Sequence, residues 1–408
     1  MDILNVTEKP GFDDTIVANE VHTCNPYVHS FDYGDEIRIP SNQTDLYVNP
    51  SESYIFISGQ LVKTKDNTKA VSTDGEMRAN FGMFLFEEMK YLINGHEVDR
   101  CKQPGITSTI KNYLSYSKNE SEALQIAGWW SPLSDAAVMD LVDYEYRFEI
   151  AIPLRIVFGL MEDFKKVIIN VRHELVLTRA RSDANCFLKK AGGEDCKINI
   201  YKIQWKIPHV TPGDKQKLQL LRYLETSTWL PIGFRSWDLY EFPSLPESTN
   251  QTWNVRSSTQ MEKPRFVILC FQTDRKGNDK KKTVFDHCNI KSAKLYLNSE
   301  QYPNDQLNFD FAKGHYAQLY NMFTDFQTAY YNRRSDPLFT YRDMTTVCPM
   351  VVFNTMRQND TIKSGSVDIR IEWQFDRNAP KKTSAFALII HDKLLEYNPF
   401  SNLVRQIQ

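Results

Sequence analysis

From Asp35 onward, apolar and polar residues alternate in short stretches broken by Asn, Asp, Gly and Pro. DEIRIP, DLYVNP and SYIFISGQLV carry this period of two, with Tyr54, Phe56 and Ser58 set against Ile55, Ile57 and Gly59. Side chains on a strand point to alternate faces, so the pattern predicts half-buried β-strands. A polar insert, KTKDNTKAVSTDGE, predicts a surface loop, and EYRFEIAIPL and VIINVRHELVLTRA complete the first half as strands. Strand candidates continue through STWLPIGFRSWDLYEF, RFVILCFQT, IKSAKLYLN, QLNFDF, MVVFNT, VDIRIEWQF and SAFALIIHDKLLEY. Three segments follow the helical period instead. In ITSTIKNYLSYS, residues Ile106, Ile110, Tyr113 and Leu114 fall on one face; DKQKLQLLRYLE is a second helix. The third, from Lys313 to Tyr331, lines up Leu319, Phe323, Phe326 and Tyr330. Residues 1 to 34 lack periodicity and are expected to form an extended arm.

The two halves repeat one another. Lys90-Tyr91-Leu92-Ile93-Asn94-Gly95 matches Lys294-Leu295-Tyr296-Leu297-Asn298-Ser299, each followed by a polar segment and an amphipathic helix holding Asn112 or Asn321. VIINVRHELVL aligns with SAFALIIHDKLL, placing His173-Glu174 opposite His391-Asp392. Ordered matches of this kind indicate a duplication. The expected organisation is an arm at 1–34 and two sandwiches at 35–200 and 201–408. The fold class is all-β, two tandem jelly rolls with a few inserted helices.

Composition agrees with packed sheets: 24 Phe, 20 Tyr and 7 Trp in 408 residues exclude a largely disordered chain. Forty-nine basic side chains against 51 acidic ones leave no surplus for neutralising many phosphates. The seven cysteines are scattered and never spaced C-x-x-C, as in a reducing compartment; Cys186 and Cys196 could close a short loop. MDILNVTEKPGFDD has acids where a secretion signal carries a basic and then an apolar stretch, so the five N-x-S/T matches (Asn5, Asn42, Asn119, Asn250, Asn359) read as chance. No run of 18 apolar residues occurs, so no membrane-spanning segment is expected.

A search for chemistry yields little. None of the eight histidines lies in H-x-H or H-E-x-x-H, and no G-x-S-x-G, Walker or G-x-G-x-x-G motif occurs. His173 and Glu174 are neighbours in a strand, point to opposite faces and cannot act on one atom. His287-Cys288 would need convergence in space. Trp129-Trp130 could stack on a sugar or fill a subunit contact, with buried packing as the plainer reading. The densest basic run, Arg275 to Lys282, reads as a solvated hairpin tip, with nucleic acid or a neighbouring subunit as the alternative. No catalytic residue, cofactor or metal site is expected, and the chain is not read as an enzyme.

Several strings together resemble the hexon-type major capsid proteins of Polinton (Maverick) elements and adintoviruses, of the PRD1–adenovirus lineage. They are YGDEIRIP, LYVNPSESYIFISGQL, MKYLINGHEVDRCKQPGITSTIKNYLS, IPLRIVFGLMEDFKKVIINVRHELVLTRA, IQWKIPHVTPGDKQKLQLL and PIGFRSWDLYEFP, spanning about residues 35 to 245. The resemblance implies a double jelly-roll major capsid protein whose homotrimer presents six upright rolls as a pseudo-hexagonal capsomer of an icosahedral virion. It implies neighbouring capsomers and a penton protein as partners, contact with packaged DNA only indirectly, synthesis in the host cytoplasm and assembly that can be nuclear. The alternatives are a two-domain β-sandwich module binding glycans, a β-sandwich hydrolase, and a domesticated host protein descended from a capsid gene.

Overall fold

The computed structural model describes residues 15–41, 47–132, 141–226, 229–255, 264–275, 277, 280–298, 300–357 and 367–407. Among the described residues, eleven strands come before the midpoint: β1 (Ile16–Cys24), β2 (Glu36–Ser41), β3 (Tyr47–Val48), β4 (Tyr54–Lys63), β5 (Gly75–Met77), β6 (Phe86–Ile93), β7 (His96–Lys102), β8 (Arg147–Pro153), β9 (His173–Arg179), β10 (Phe187–Lys189) and β11 (Cys196–Pro212). Nine follow: β12 (Leu230–Phe242), β13 (Asn250–Val255), β14 (Pro264–Thr273), β15 (Ile290–Leu297), β16 (Glu300–Tyr302), β17 (Val351–Asn354), β18 (Ile369–Phe375), β19 (Thr383–Tyr397) and β20 (Val404–Gln406). The helices are α1 (Phe81–Phe84), α2 (Pro104–Ser115), α3 (Lys118–Ala123), α4 (Gly159–Asp163), α5 (Asp214–Thr226) and α6 (Ala317–Tyr331).

Each half closes as two facing antiparallel sheets in the same order. The first half pairs β1-β11-β4-β8, with β3 appended to β11, against β2-β9-β6-β7; the second pairs β12-β19-β14-β17, with β20 appended to β19, against β13-β18-β15-β16. Setting aside the short β3, β5, β10 and β20, each half has eight strands that contribute to its two sheets in one order. This is the jelly roll expected from the sequence, present twice. Inward residues interdigitate between the sheets: Ile55, Ile57 and Leu61 of β4 are fully buried in the first roll, and Phe271 of β14 meets Trp373 and Phe375 of β18 in the second.

The repeat is clearest at one turn. β6 is followed by Asn94 and β15 by Asn298, both left-handed with φ of 50° and 53°. Asn94 N–H donates to the Arg172 carbonyl at 2.9 Å, and its side-chain oxygen accepts from Arg172 N–H at 2.8 Å. Asn298 makes the same pair of bonds with Asp368, at 2.9 Å each. Asn tolerates this conformation and can close the turn with its own amide, which explains its recurrence.

Four sequence expectations differ from the structure. QLNFDF, expected as a strand, is irregular and holds only an isolated bridge between Asp310 and His315. His173 and His391 are not counterparts. β9 holds the place of β18, since Leu175 pairs with Tyr91 as Ile371 pairs with Leu295, whereas β19 holds the place of β11. The true offset between these strands is 196 (369 − 173), smaller than that of the helices, because the first half carries the longer insertions. Part of the expected arm, Ile16–Cys24, is β1, hydrogen-bonded along β11; residues 1–14 lie outside the described residues. Finally, the strand crossing residue 200 belongs wholly to the first roll, as β11 pairs with β1, β3 and β4, so the chain changes rolls at α5.

Candidate assembly interface

The sequence of α2, PGITSTIKNYLS, contains a single charge, and every residue of the helix is buried. Its small Ser and Thr side chains bond back to the helix: Ser108 Oγ to the Pro104 carbonyl at 2.5 Å and Thr109 Oγ1 to the Gly105 carbonyl at 2.6 Å. They therefore add no unsatisfied polar groups to the core. Lys111 is the exception. Its ammonium donates to both carboxylate oxygens of Glu162 (3.0 and 3.1 Å), to Ser115 Oγ (2.8 Å) and to the Tyr331 hydroxyl (2.8 Å). It also lies 4.5 Å from the ring centre of Trp237 and 4.3 Å from that of Tyr330. Burial lowers the pKa of Lys111, and the Glu162 charge opposes the shift. Tyr330 and Tyr331 donate to Glu162 at 2.7 and 2.5 Å, so the carboxylate is saturated.

Lys111 and Glu162 come from the first roll; Trp237, Tyr330 and Tyr331 come from the second. Around them runs a seam of further cross-roll bonds. Arg235 of β12 is held by Asp163 at 2.6 and 2.8 Å and stacks on Tyr330, its guanidinium carbon 3.5 Å from the ring centre. Asp99 of β7 accepts from Leu160 N–H (3.0 Å) and Ser236 Oγ (2.8 Å); burial raises its pKa against these bonds. Tyr113 donates to the Thr283 carbonyl at 2.7 Å, and Asn94 Nδ2 to the Asn402 carbonyl at 3.1 Å. At Gly159 the rolls approach so closely that an added Cβ would lie 1.6 Å from the Arg235 carbonyl oxygen. These cross-roll bonds, several of them charged and buried, join the two rolls into one block. Beside it, an open cleft of about 410 Å³ is lined by residues of both rolls, among them Phe84, Gln103, Gln272 and Arg275.

A family model described as a double jelly roll-like domain matches residues 76–395, from β5 of the first roll to β19 of the second, with the seam between them. The chain belongs to this double jelly roll-like family. Solved structures of viral capsid chains superpose along nearly its whole length. A chain of the PBCV-1 virus capsid model gives a TM-score of 0.64 at 9% identity, covering 98% of this chain and 99% of that one. The Faustovirus major capsid protein gives 0.61 at 9% identity, covering 98% and 92%, and the mavirus major capsid protein 0.55 at 10% identity, covering 99% and 92%. At such identities the likeness is one of fold. No curated protein matches the chain in sequence.

Within the double jelly roll, the residues weighed for chemistry take structural places. His173 is buried on β9, its Nδ1 2.6 Å from the Tyr91 hydroxyl, while Glu174 faces the other way towards Arg38 at 3.4 Å. His287 stacks on Phe311 with ring centres 4.4 Å apart, and burial raises the neighbouring Cys288 thiol to a pKa of about 11, far from a reactive thiolate. Trp129 and Trp130 are core residues, Trp129 donating to Ser121 Oγ at 2.9 Å. Cys186 and Cys196 are free thiols. The basic run is not a uniform solvated tip: Arg275 pairs with Asp286 at 2.6 Å and Lys282 is buried, while residues 276, 278 and 279 lie outside the described residues. Among the described residues no group of three or more His, Cys, Asp or Glu could hold a metal, and no helix is long and apolar enough to cross a membrane.

Sequence reasoning missed the seam. One signal was present: Lys111 is the lone charge in its helix, with no acid three or four positions away to pair with on a solvated face.

Proposed function

We propose that this chain is the major capsid protein of an icosahedral virus or virus-like element. Three copies associate into a pseudo-hexagonal capsomer, and capsomers tile the shell. The observation that carries the reading is the seam. Lys111, Asp99 and Gly159 join two equivalent rolls into one block, so that three chains supply six similar units in fixed relation. The fold shared with the PBCV-1, Faustovirus and mavirus capsid chains supports it. The strings that resemble Polinton and adintovirus capsid proteins favour that lineage. Neighbouring capsomers and a penton protein are then the partners, packaged DNA is contacted only indirectly, and the chain resides in the virion after synthesis in the host cytoplasm.

Light scattering on the purified chain, with electron microscopy of the same fractions, tests this. One chain weighs 47.6 kDa, so a trimer weighs about 143 kDa (3 × 47.6). A trimer that packs into hexagonal arrays or shells is expected. A chain that stays monomeric at high concentration, with no ordered assemblies, would remove the reading.

A further inference from the structure

The two rolls are alike, yet the same face is fully covered in one and only partly covered in the other. In the second roll, Phe266, Ile268 and Cys270 of β14 are at most 1% exposed; Phe266 lies under Phe326 and Tyr330 of α6, the helix that meets the first roll through Lys111. β4 holds the place of β14 in the first roll, and there Tyr54, Phe56 and Ser58 are only half-buried. β12, packed against β7 and α4, has as its counterpart β1. Among the described residues β1 pairs only with β11, and Val17 and Val21 are 71% and 54% exposed. An unprotected edge strand with bare valines is a liability for an isolated protein and an asset in an assembly.

The opposite side of the roll shows the reverse asymmetry. In the first roll it carries Asp99 and Asn94, which bond to Ser236 and Asn402 of the second. In the second roll Asn298 repeats the turn of Asn94, and Tyr302 holds the place of Asp99: Asp99 pairs with Tyr91, Tyr302 with Leu295, and these partners match in the repeat. Beside Tyr302 an open cavity of about 180 Å³ is lined by Pro303, Met322, Phe353 and Asp325. The cavity is mostly apolar with one exposed carboxylate, whereas the partly covered sheet of the first roll combines Val21, Tyr54 and Phe56 with the exposed Lys202.

We propose that these two surfaces meet between copies of the chain: β1 and the outer face of β4 in one copy dock against the β16–α6 side of the second roll in the next. The contact repeats, between chains, the one that the rolls make inside each chain. It is heterologous, and such a contact generates a ring when its rotation closes; three chains of two rolls give six. The inference rests on the trimeric reading above and adds which surfaces form the trimer.

Val21→Asp tests it, because Val21 is exposed in the single chain and its replacement leaves the roll's core intact. Thermal unfolding of the dilute monomer should be unchanged, while the concentration at which trimers form rises about tenfold or more. Independently, a Val21→Cys copy mixed with an Asp325→Cys copy should be bridged by a short bismaleimide into a two-chain product, above the background from Cys24. If wild type forms trimers but Val21→Asp trimerises equally well and no cross-link appears, the proposed surfaces are wrong and the capsid reading stands. If wild type never forms trimers, both fail together.

Discussion

The ammonium of Lys111 lies 4.5 Å from the ring centre of Trp237, and the two residues belong to different rolls. A desolvated cation against an aromatic face is worth about 2 kcal/mol, and here Glu162 adds full charge compensation. Removing one member of such a buried pair leaves the other charge without a partner. Lys111→Ala is therefore expected to cost roughly 3–5 kcal/mol in urea unfolding. The double variant Lys111→Met with Glu162→Gln, which removes both charges, should recover most of that loss. If the single variant is neutral, the seam does not hold the rolls together.

Gly159→Ala should act at the same seam by steric means. Its methyl group would occupy the space of the Arg235 carbonyl oxygen, and both elements are backbone, so the rolls themselves must part. A loss of about 3 kcal/mol or more is expected. Limited proteolysis of the α5 connection, measured alongside, should accelerate relative to wild type.

Acid should weaken the first roll through its buried histidines. Burial holds His173 at a pKa of about 3, and burial, aided by the nearby His22, also lowers His209. Unfolded histidine titrates near 6.5, so below that pH the unfolded chain binds more protons than the native one. The stability these groups contribute is whole above about pH 6.5 and is lost as pH falls towards 3, by up to about 1.4 kcal/mol per pH unit for each histidine. Urea midpoints between pH 8 and pH 4 should fall less steeply for His173→Gln than for wild type. Parallel profiles would mean that His173 is protonated in the native state.

Thiol reactivity should separate one cysteine from six. Burial raises the pKa values of all seven, but Cys24 is half-buried and keeps access to solvent, while Cys101, Cys186, Cys196, Cys270, Cys288 and Cys348 are buried. A thiol reagent at neutral pH should titrate about one group rapidly in native protein and all seven in urea. Rapid reaction of a second native thiol would indicate that a roll opens locally.

Alternation alone located most strands, because a sheet with one bare face writes itself as a period of two. β4 is the clear case, with Ile55 and Ile57 inward and Tyr54 and Phe56 outward. β14 and β19 are buried on both faces, so their apolar runs state that they are strands without saying what covers them. The repeat at Asn94 and Asn298 was legible because a left-handed turn narrows the choice of residue. The alignment of His173 with His391 failed for the opposite reason: strands of equal hydrophobic texture look alike in text, and only their sheet neighbours distinguish β9 from β11.

What the sequence determined by itself was local: the strands, the three longer helices, the duplication, the lack of any catalytic motif and the resemblance to capsid proteins. Each of these depends on neighbours along the chain, or on spacing that survives as text. The tertiary structure decided which strands are equivalent, that β1 lies on β11, and that Lys111 is buried against Glu162 and Trp237. Those facts rest on contacts between residues far apart in the chain, such as Tyr331 with Lys111 and Ser236 with Asp99. Whether a charge is solvated or desolvated depends on what packs over it, and that is settled only when the rolls come together.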